Sequence, residues 1–291
     1  KDMSTEEILK KVHKIEIRAR RLSQEVFAGQ YHSAFKGKGM TFSEVREYAY
    51  GDEIRSIDWN VTARSNKPFV KVYEEERELT VMLLIDVSGS TFFGTEQSLK
   101  SEIITEIAAV LSFSAIHNND KVGVILFSDK VEKYIPPKKG TSHILTIIRE
   151  LLLFKKNDGG TNFSLPLVFL SNVIKKRASC FVITDCFGNF DDSLQIVAKR
   201  HDLTAIFVND RREFELPNIG LVQFEDAETK QMKWIDTTDK ITRENFVKQR
   251  RNIQYENMLK FNKYGIDNIQ ILASEDYIKS LIKLFSKRGK A

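Results

Sequence analysis

The stretch that decides the fold is Leu79-Thr80-Val81-Met82-Leu83-Leu84-Ile85, which is followed at once by Asp86-Val87-Ser88-Gly89-Ser90. An apolar run of this length is typical of a strand that is buried on both faces of a parallel sheet. The polar residues after it place one carboxylate and two hydroxyls at alternate positions where the strand ends. Hard oxygen ligands suit a small divalent cation such as Mg²⁺, and open α/β sheets bind ligands at this edge.

Two later segments carry further oxygen ligands. Gly159-Gly160-Thr161-Asn162 is a loop ahead of a helical run, and Asp185 ends the apolar strand 180–184. If the two strands are parallel neighbours, Asp86 and Asp185 emerge at the same edge of the sheet, and Thr161 reaches that edge on its glycine loop. The sequence therefore predicts one site for Mg²⁺, with Mn²⁺ or Ca²⁺ as substitutes, whose ligands are Asp86, Ser88, Ser90, Thr161 and Asp185.

Each of these residues also has a simpler interpretation, which the sequence leaves open. Asp86 and Ser88 are suited to cap the helix that follows them, and Thr161 is suited to cap the next helix. Asp185 could cap a turn after its strand. The order of the three segments along the chain is what favours a shared site over three separate caps.

The wider pattern alternates strands and helices. Strands are predicted at 79–85, 121–127, 131–135, 180–184, 204–209 and 266–272, and helices at 97–116, 142–154, 163–177, 192–201, 241–262 and 276–287. This alternation predicts an α/β fold with a mostly parallel sheet and helices on both faces. The strand at 131–135 is expected to form an antiparallel edge and to end at Pro136-Pro137. Residues 219–224 and 231–236 resemble a hairpin.

The chain divides into three predicted parts: a helix at 1–28, an extension with a small β subdomain at 29–78, and the α/β domain at 79–291. Ser4-Thr5-Glu6-Glu7 fits a capping box, and apolar residues then recur at helical spacing. We expect this first helix to pack against the body of the protein. In the extension, the charged block 52–64 is expected to form a docking network of ion pairs around a buried Trp59. A second surface for a partner is one alternative, and a carboxylate from Asp58 to the metal site of the same chain is another.

Composition sets limits on the class of protein. The 291 residues are 42% hydrophobic and 29% charged, as in an ordinary soluble globular protein, and the net charge is only +5. No apolar run approaches the roughly 18 residues of a membrane-spanning helix. Cys180 and Cys186 show neither zinc nor disulfide spacing, which favours a reducing, cytoplasmic location. We expect no nucleic-acid partner, although the basic first helix and the basic tail after 241 leave binding to nucleic acid or to an anionic membrane surface as an alternative.

Two blocks upstream of the strand carry a family resemblance. They are Phe35-Lys36-Gly37-Lys38-Gly39-Met40-Thr41-Phe42-Ser43-Glu44-Val45-Arg46-Glu47-Tyr48 and Gly51-Asp52-Glu53-Ile54-Arg55-Ser56-Ile57-Asp58-Trp59-Asn60-Val61-Thr62-Ala63-Arg64. Together with the oxygen ligands above, they resemble the bacterial family catalogued as domain of unknown function 58. The resemblance runs from about residue 29 to residue 288. This sequence departs from the family pattern at Thr91, where members of the family often have Met, and at Asn162, where they often have Asp.

The resemblance implies a von Willebrand factor A-like fold with a metal-ion-dependent adhesion site. It implies that Ser88, Ser90 and Thr161 bind the metal directly and that Asp86 and Asp185 act largely through water. It also implies an association with MoxR-type AAA+ ATPases and with other A-domain proteins. The expected function is therefore that of a metal-dependent adaptor that captures an Asp or Glu side chain of a protein partner, and not that of an enzyme.

The alternatives come from other classes of protein. A Mg²⁺-dependent phosphohydrolase would need a paired Asp-x-Asp motif and a base at fixed spacing, and the sequence has neither. We also expect the site to be too shallow to exclude solvent. The loop 158–162 looks like the phosphate loop of sugar kinases, but helices are predicted on both sides of it, whereas that loop joins the strands of a hairpin.

Overall fold

The structure is a computed structural model that describes residues 5–27, 41–65, 67–74, 78–88, 97–154, 161–185, 190–210, 213–225 and 232–288. The chain separates into two compact units. The smaller is Lys36–Glu78, and the larger combines Lys1–Phe35 with Leu79–Ala291. The first helix thus belongs to the same unit as the α/β domain.

A six-stranded sheet runs through the larger unit in the order β10-β7-β6-β3-β4-β5. Neighbouring strands are parallel except for β5, which is antiparallel to β4 at one edge. These arrangements confirm the predicted mostly parallel sheet and its antiparallel edge. The strands are β3 (Thr80–Asp86), β4 (Lys121–Phe127), β5 (Val131–Lys138), β6 (Ser179–Thr184), β7 (Asp202–Asn209) and β10 (Asp267–Leu272).

The central strand β3 is buried on both faces of the sheet. Val81, Leu83 and Ile85 belong to the hydrophobic core on one face. Met82 and Leu84 belong to the core on the other face. Because successive side chains of a strand point to opposite faces, a strand between two cores needs apolar residues at every position. This is why the sequence of β3 shows a continuous apolar run.

Helices cover both faces, as predicted. One core packs against α1, α3, α4 and α8, and the other packs against α5, α6 and α7. The helices are α1 (Thr5–Phe27), α3 (Gln97–His117), α4 (Thr141–Leu153), α5 (Ser164–Val173), α6 (Ser193–Arg200), α7 (Lys240–Lys263) and α8 (Tyr277–Arg288). The predicted hairpin is also present as β8 (Leu221–Glu225) and β9 (Met232–Asp236). Within the described ranges, no helix is both long enough and apolar enough to cross a bilayer.

The fifth helix ends earlier than predicted. Its last helical residue is Val173, and Ile174 is already extended while its side chain stays buried. The next three residues, 175–177, are basic and exposed, so a further helical turn would bury nothing. The predicted continuation to residue 177 is therefore wrong.

The first helix packs against the body of the larger unit, as expected. Its apolar stripe is buried against α3, α4 and α8. Two ion pairs flank this stripe: Lys11 Nζ lies 2.9 Å from Glu102 Oε1, and Arg18 Nη1 lies 2.9 Å from Glu106 Oε1. The buried residues of the stripe are Ile8, Val12, Ile15, Ala19 and Leu22.

The edge strand β5 continues through Pro136 and Pro137 to Lys138, so the predicted end at Pro136 is wrong. The pairing of β4 with β5 shifts between residues 122 and 124, because Val122 faces Lys138 while Val124 faces Ile135. The two prolines lie in this irregularity at the sheet edge, where missing N–H donors cost little.

Gly123 lies opposite the prolines, and no side chain fits there. A Cβ at this position would lie 2.7 Å from Met82 Sδ, 2.9 Å from Pro137 N and 3.0 Å from Ile135 O. We expect Gly123→Ala to destabilise the protein by about 2 kcal/mol or more, because two of these atoms belong to a backbone that the sheet holds in place. Urea unfolding followed by circular dichroism measures this change, and an unaltered midpoint would contradict it.

The described part of the smaller unit contains an antiparallel pair of strands, a 3₁₀ turn and a short α-helix. Its Arg46 guanidinium makes two 2.7 Å hydrogen bonds to Asp52, and Lys71 Nζ lies 3.5 Å from Asp58 Oδ2. The side chain of Trp59 is 67% exposed, so its predicted burial is wrong. Trp59 begins a seven-residue helix that has no buried residue. The elements are β1 (Thr41–Glu47), a 3₁₀ turn (Ile54–Ser56), α2 (Trp59–Ser65) and β2 (Phe69–Glu74).

Candidate metal centre

The candidate site lies where β3 and β6 end. Asp86 is the last residue of β3, and Asp185 follows the last residue of β6. The two strands are parallel neighbours, with Ile85 opposite Ile183, so both aspartates emerge at the carboxyl edge of the sheet. Both side chains are buried, with 0% of Asp86 and 4% of Asp185 exposed. The structure thus brings together the two carboxylates that the sequence singles out.

Thr161 brings its hydroxyl to the same point. Its Oγ1 donates to Ser88 Oγ at 2.9 Å and lies 3.5 Å from Asp86 Oδ2. The backbone N–H of Asn162 donates to the carbonyl of Ser128 at 2.9 Å, which holds Asn162 next to the residue that follows β4. The N-cap of the helix that follows is Phe163, and the Asn162 side chain accepts from Ser164 N–H at 3.0 Å, so Thr161 is not the capping residue that the sequence left open.

Thr184 and the backbone of Ser88 both donate hydrogen bonds to the Asp86 carboxylate. Thr184 donates its hydroxyl to Asp86 Oδ2 at 2.6 Å, and the N–H of Ser88 donates to Asp86 Oδ1 at 2.9 Å. The role of Thr184 was missed by sequence reasoning. Its position at the end of β6, directly before Asp185, was the available signal.

Ser90 lies outside the described residues, as do Gly159, Gly160 and Cys186. The predicted role of Ser90 therefore stays a prediction. The described part of the site consists of Asp86, Ser88, Thr161 and Asp185.

The electrostatics of the site disfavour negative charge on Asp86. Burial and the nearby Asp185 raise the pKa of Asp86 to about 6, although the hydrogen bonds from Thr184 and Ser88 lower it in part. A site whose carboxylate is destabilised in this way gains electrostatically when a cation approaches. The cost of the buried charge is thus consistent with a cation-binding role.

A buried lysine contacts the second carboxylate. Lys100, in α3, is only 2% exposed, and its Nζ lies 2.6 Å from Asp185 Oδ2 and 2.7 Å from Glu213 Oε1. Burial lowers the pKa of Lys100, but the charges of Asp185 and Glu213 outweigh burial and leave the pKa above its ordinary value. The Lys100 side chain is therefore an ammonium ion inside the protein.

The surroundings of Glu213 complete this cluster. Asn209 Nδ2 donates to Glu213 Oε2 at 2.9 Å and to the carbonyl of Asp185 at 2.7 Å. The N–H of Asp210 donates to Glu213 Oε1 at 2.9 Å. Sequence reasoning missed Lys100, Asn209 and Glu213. The one available signal was the place of Lys100 on the apolar face of α3, three and four residues before the buried Ile103 and Ile104.

One oxygen–oxygen distance in the site is compatible with a small hard cation, although it is also the length of an ordinary hydrogen bond. Neighbouring oxygens of an octahedral Mg²⁺ shell with Mg–O distances near 2.1 Å lie about 3.0 Å apart. The hydroxyl oxygens of Thr161 and Ser88 are 2.9 Å apart. No three His, Cys, Asp or Glu side chains of the described residues gather as a metal cage. The candidate site differs from such a cage because hydroxyls supply much of its ligand set.

The site is less shallow than expected. Asp86 is fully buried and Ser88 is 1% exposed, whereas Thr161 is only partly buried. The carboxyl edge of a sheet is open to solvent in principle, but here the Thr161 side chain contacts Ser88 and Asp86 at this edge. Among the described ligands, Thr161 is the one that solvent reaches most readily.

Comparisons with known proteins identify relatives of this chain. An uncharacterized protein of Mycobacterium tuberculosis is 29% identical over 219 residues, which cover 74% of this chain and 69% of that protein. The uncharacterized protein YeaD of Bacillus subtilis is 26% identical over 124 residues, which cover 43% of this chain and 27% of that protein.

Among solved structures, the conserved hypothetical protein BatB of Bacteroides thetaiotaomicron aligns with 73% of this chain and 100% of its own, at 16% identity and a TM-score of 0.44. The family model described as "Protein of unknown function DUF58" matches residues 44–256. This match includes the end of β3, the Thr161 loop and the end of β6. The chain belongs to the DUF58 family of proteins of unknown function.

Proposed function

We propose that this protein is a metal-dependent protein-interaction module with a von Willebrand factor A-like α/β domain. One observation carries the proposal: the hydroxyls of Thr161 and Ser88 and the carboxylate of Asp86 converge within 3.5 Å, although Thr161 is more than 70 residues away from the other two along the chain. The sheet supports the fold assignment, because the site lies at the carboxyl end of a central parallel strand.

The ligands divide by charge. Ser88 and Thr161, with Ser90 as the third predicted hydroxyl, would hold Mg²⁺ or Mn²⁺ through neutral oxygens. Asp86 and Asp185 supply the negative charge around them. The bound cation would offer a position to an external hard oxygen ligand, for which a carboxylate is well suited. An Asp or Glu side chain of a protein partner meets this requirement.

A hydrolytic role has one observation in its favour, namely the pKa of Asp86 near 6, which suits a general base. Its two oxygens are already engaged, however, by Thr184 Oγ1 and by the N–H of Ser88. Asp185 is paired with Lys100. Proton transfer to a substrate would have to displace these contacts, so binding is the better-supported role.

The family resemblance suggests a MoxR-type AAA+ ATPase as the first partner to test, followed by other A-domain proteins. In this proposal, the protein works as a cytoplasmic adaptor that presents substrates to the ATPase. The part of the site nearest solvent, around Thr161, is where we expect the partner's carboxylate to approach.

The metal site can be tested by calorimetric titration of Mn²⁺ or Mg²⁺ into metal-free protein. We expect one site, lost in Asp86→Ala because the carboxylate charge is removed. Asp267→Ala is the matched control. Asp267 is the first residue of β10, so it lies at the amino end of a strand, whereas the candidate site lies at the carboxyl ends of β3 and β6. Equal binding by Asp86→Ala and the control would refute the site.

Partner binding needs a separate experiment. The wild-type protein, Asp86→Ala and Asp267→Ala are each mixed with a purified MoxR-type ATPase, with Mg²⁺ present or chelated. The adaptor proposal expects complex formation only for the wild type and the control, and only with metal. Metal-dependent turnover of phosphoester substrates that vanished in Asp86→Ala would favour the hydrolase instead.

A further inference from the structure

Lys100 lies in an environment that is unfavourable for a lysine. It is in the first turn of α3, at the positive end of the helix dipole, and its side chain is almost completely buried. A buried ammonium is tolerated only when partners compensate its charge. Here the compensation comes from Asp185 and Glu213, at 2.6 and 2.7 Å. Lys100 is thus held by one predicted metal ligand and by one carboxylate next to it.

The charges of this cluster can be summed. Asp86, Asp185 and Glu213 carry three negative charges when ionised, and Lys100 carries one positive charge, which leaves a net charge of −2. Without Lys100 the net charge would be −3. The ammonium also occupies Asp185 Oδ2, an oxygen that could otherwise interact with a cation or with its bound water. Both effects oppose the binding of a second cation at the same edge.

We propose that Lys100 is a built-in competitor of the metal for Asp185 and thereby sets a low affinity of the site for bare divalent cations. This inference rests on the proposed metal site. A weakly held cation needs a further ligand to remain bound, so Lys100 makes retention of the metal depend on the partner's carboxylate. Lys100 is therefore a residue that determines specificity for a metal–carboxylate pair over the metal alone.

The test measures Mn²⁺ affinity from the electron paramagnetic resonance signal of free Mn²⁺, at pH 8 and low ionic strength. Lys100→Met should tighten Mn²⁺ binding by about tenfold or more, because one nearby positive charge is removed. Glu213→Gln should weaken binding several-fold. The double variant Lys100→Met/Glu213→Gln has the net charge of the wild type and should bind Mn²⁺ within about threefold of it.

The outcomes separate this inference from the metal site itself. If the wild type binds Mn²⁺ and Asp86→Ala does not, but Lys100→Met binds equally or more weakly, Lys100 is not a competitor and the site stands. If no variant binds Mn²⁺, the proposed site and the role of Lys100 both fail. Should Lys100→Met not fold, Lys100→Gln and Glu213→Gln provide the same comparison, and unchanged affinity in both would overturn the inference.

Discussion

Asp86→Asn is expected to stabilise the metal-free protein by about 2–3 kcal/mol at pH 8, while it removes metal binding. Burial and the charge of Asp185 raise the pKa of Asp86 from 3.8 to about 6, so its ionised form is disfavoured in the folded state. The side-chain oxygen of asparagine can still accept the hydrogen bond from the Ser88 N–H, and its NH₂ group can donate to the hydroxyl oxygen of Thr184. Equilibrium unfolding in urea measures the difference.

The raised pKa of Asp86 also predicts how the free energy of unfolding of the wild type depends on pH. Because the folded pKa of Asp86 lies above the unfolded one, the folded state binds the proton more tightly. The stabilisation from this proton is full below about pH 4 and is lost as the pH rises to about 6 and beyond. We therefore expect the gain from Asp86→Asn to be near zero at pH 4 and to grow up to about pH 7.

Two controls make this prediction specific. Asp276→Asn changes an exposed helix cap and should alter the free energy of unfolding by less than about 0.5 kcal/mol. Saturating Mn²⁺ should stabilise the wild type and leave Asp86→Asn unchanged, because only the wild type binds it. A destabilised Asp86→Asn protein at pH 8 would show that Asp86 serves the fold and not a ligand.

Asp185→Asn should have the opposite effect on stability, with a loss of about 3 kcal/mol at pH 7. The substitution removes one of the two carboxylates that compensate the buried Lys100, and an under-compensated buried charge is costly. Glu213 remains as a partner of Lys100, and the repulsion between Asp185 and Asp86 is relieved, so the loss stays at the lower end of the range for broken buried pairs. Urea or thermal unfolding detects a change of this size.

The double variant Lys100→Met/Asp185→Asn is the matched control. It removes the buried ammonium together with its partner, so we expect it to be at least about 1 kcal/mol more stable than Asp185→Asn alone. Glu213 keeps its hydrogen bonds from Asn209 and Asp210 in this variant. If the two changes simply added, Lys100 and Asp185 would not be energetically coupled.

The sequence was sufficient to predict those features of the fold that depend on a single helix or strand or on a general rule of β-sheets. Alternation of apolar strands and helices predicted the mostly parallel sheet, and continuous apolar runs identified its buried strands. It was insufficient at Pro136 and Pro137, because β5 continues through these prolines at an irregular pairing opposite Gly123, which only the tertiary structure shows. The predicted burial of Trp59 was wrong for a different reason: the prediction rested on its aromatic side chain alone, and this side chain is exposed.

At the carboxyl end of β3, some features of the candidate site were determined by the sequence by itself, and others were decided only by the tertiary structure. The sequence placed Asp86 and Asp185 at one edge, because parallel strands all end on the same side of a sheet. The tertiary structure decided what surrounds them. Lys100 meets Asp185 across 85 residues of chain and Glu213 across 113. Such contacts depend on how a helix and a loop pack over the sheet edge, and no local pattern or periodicity encodes that packing.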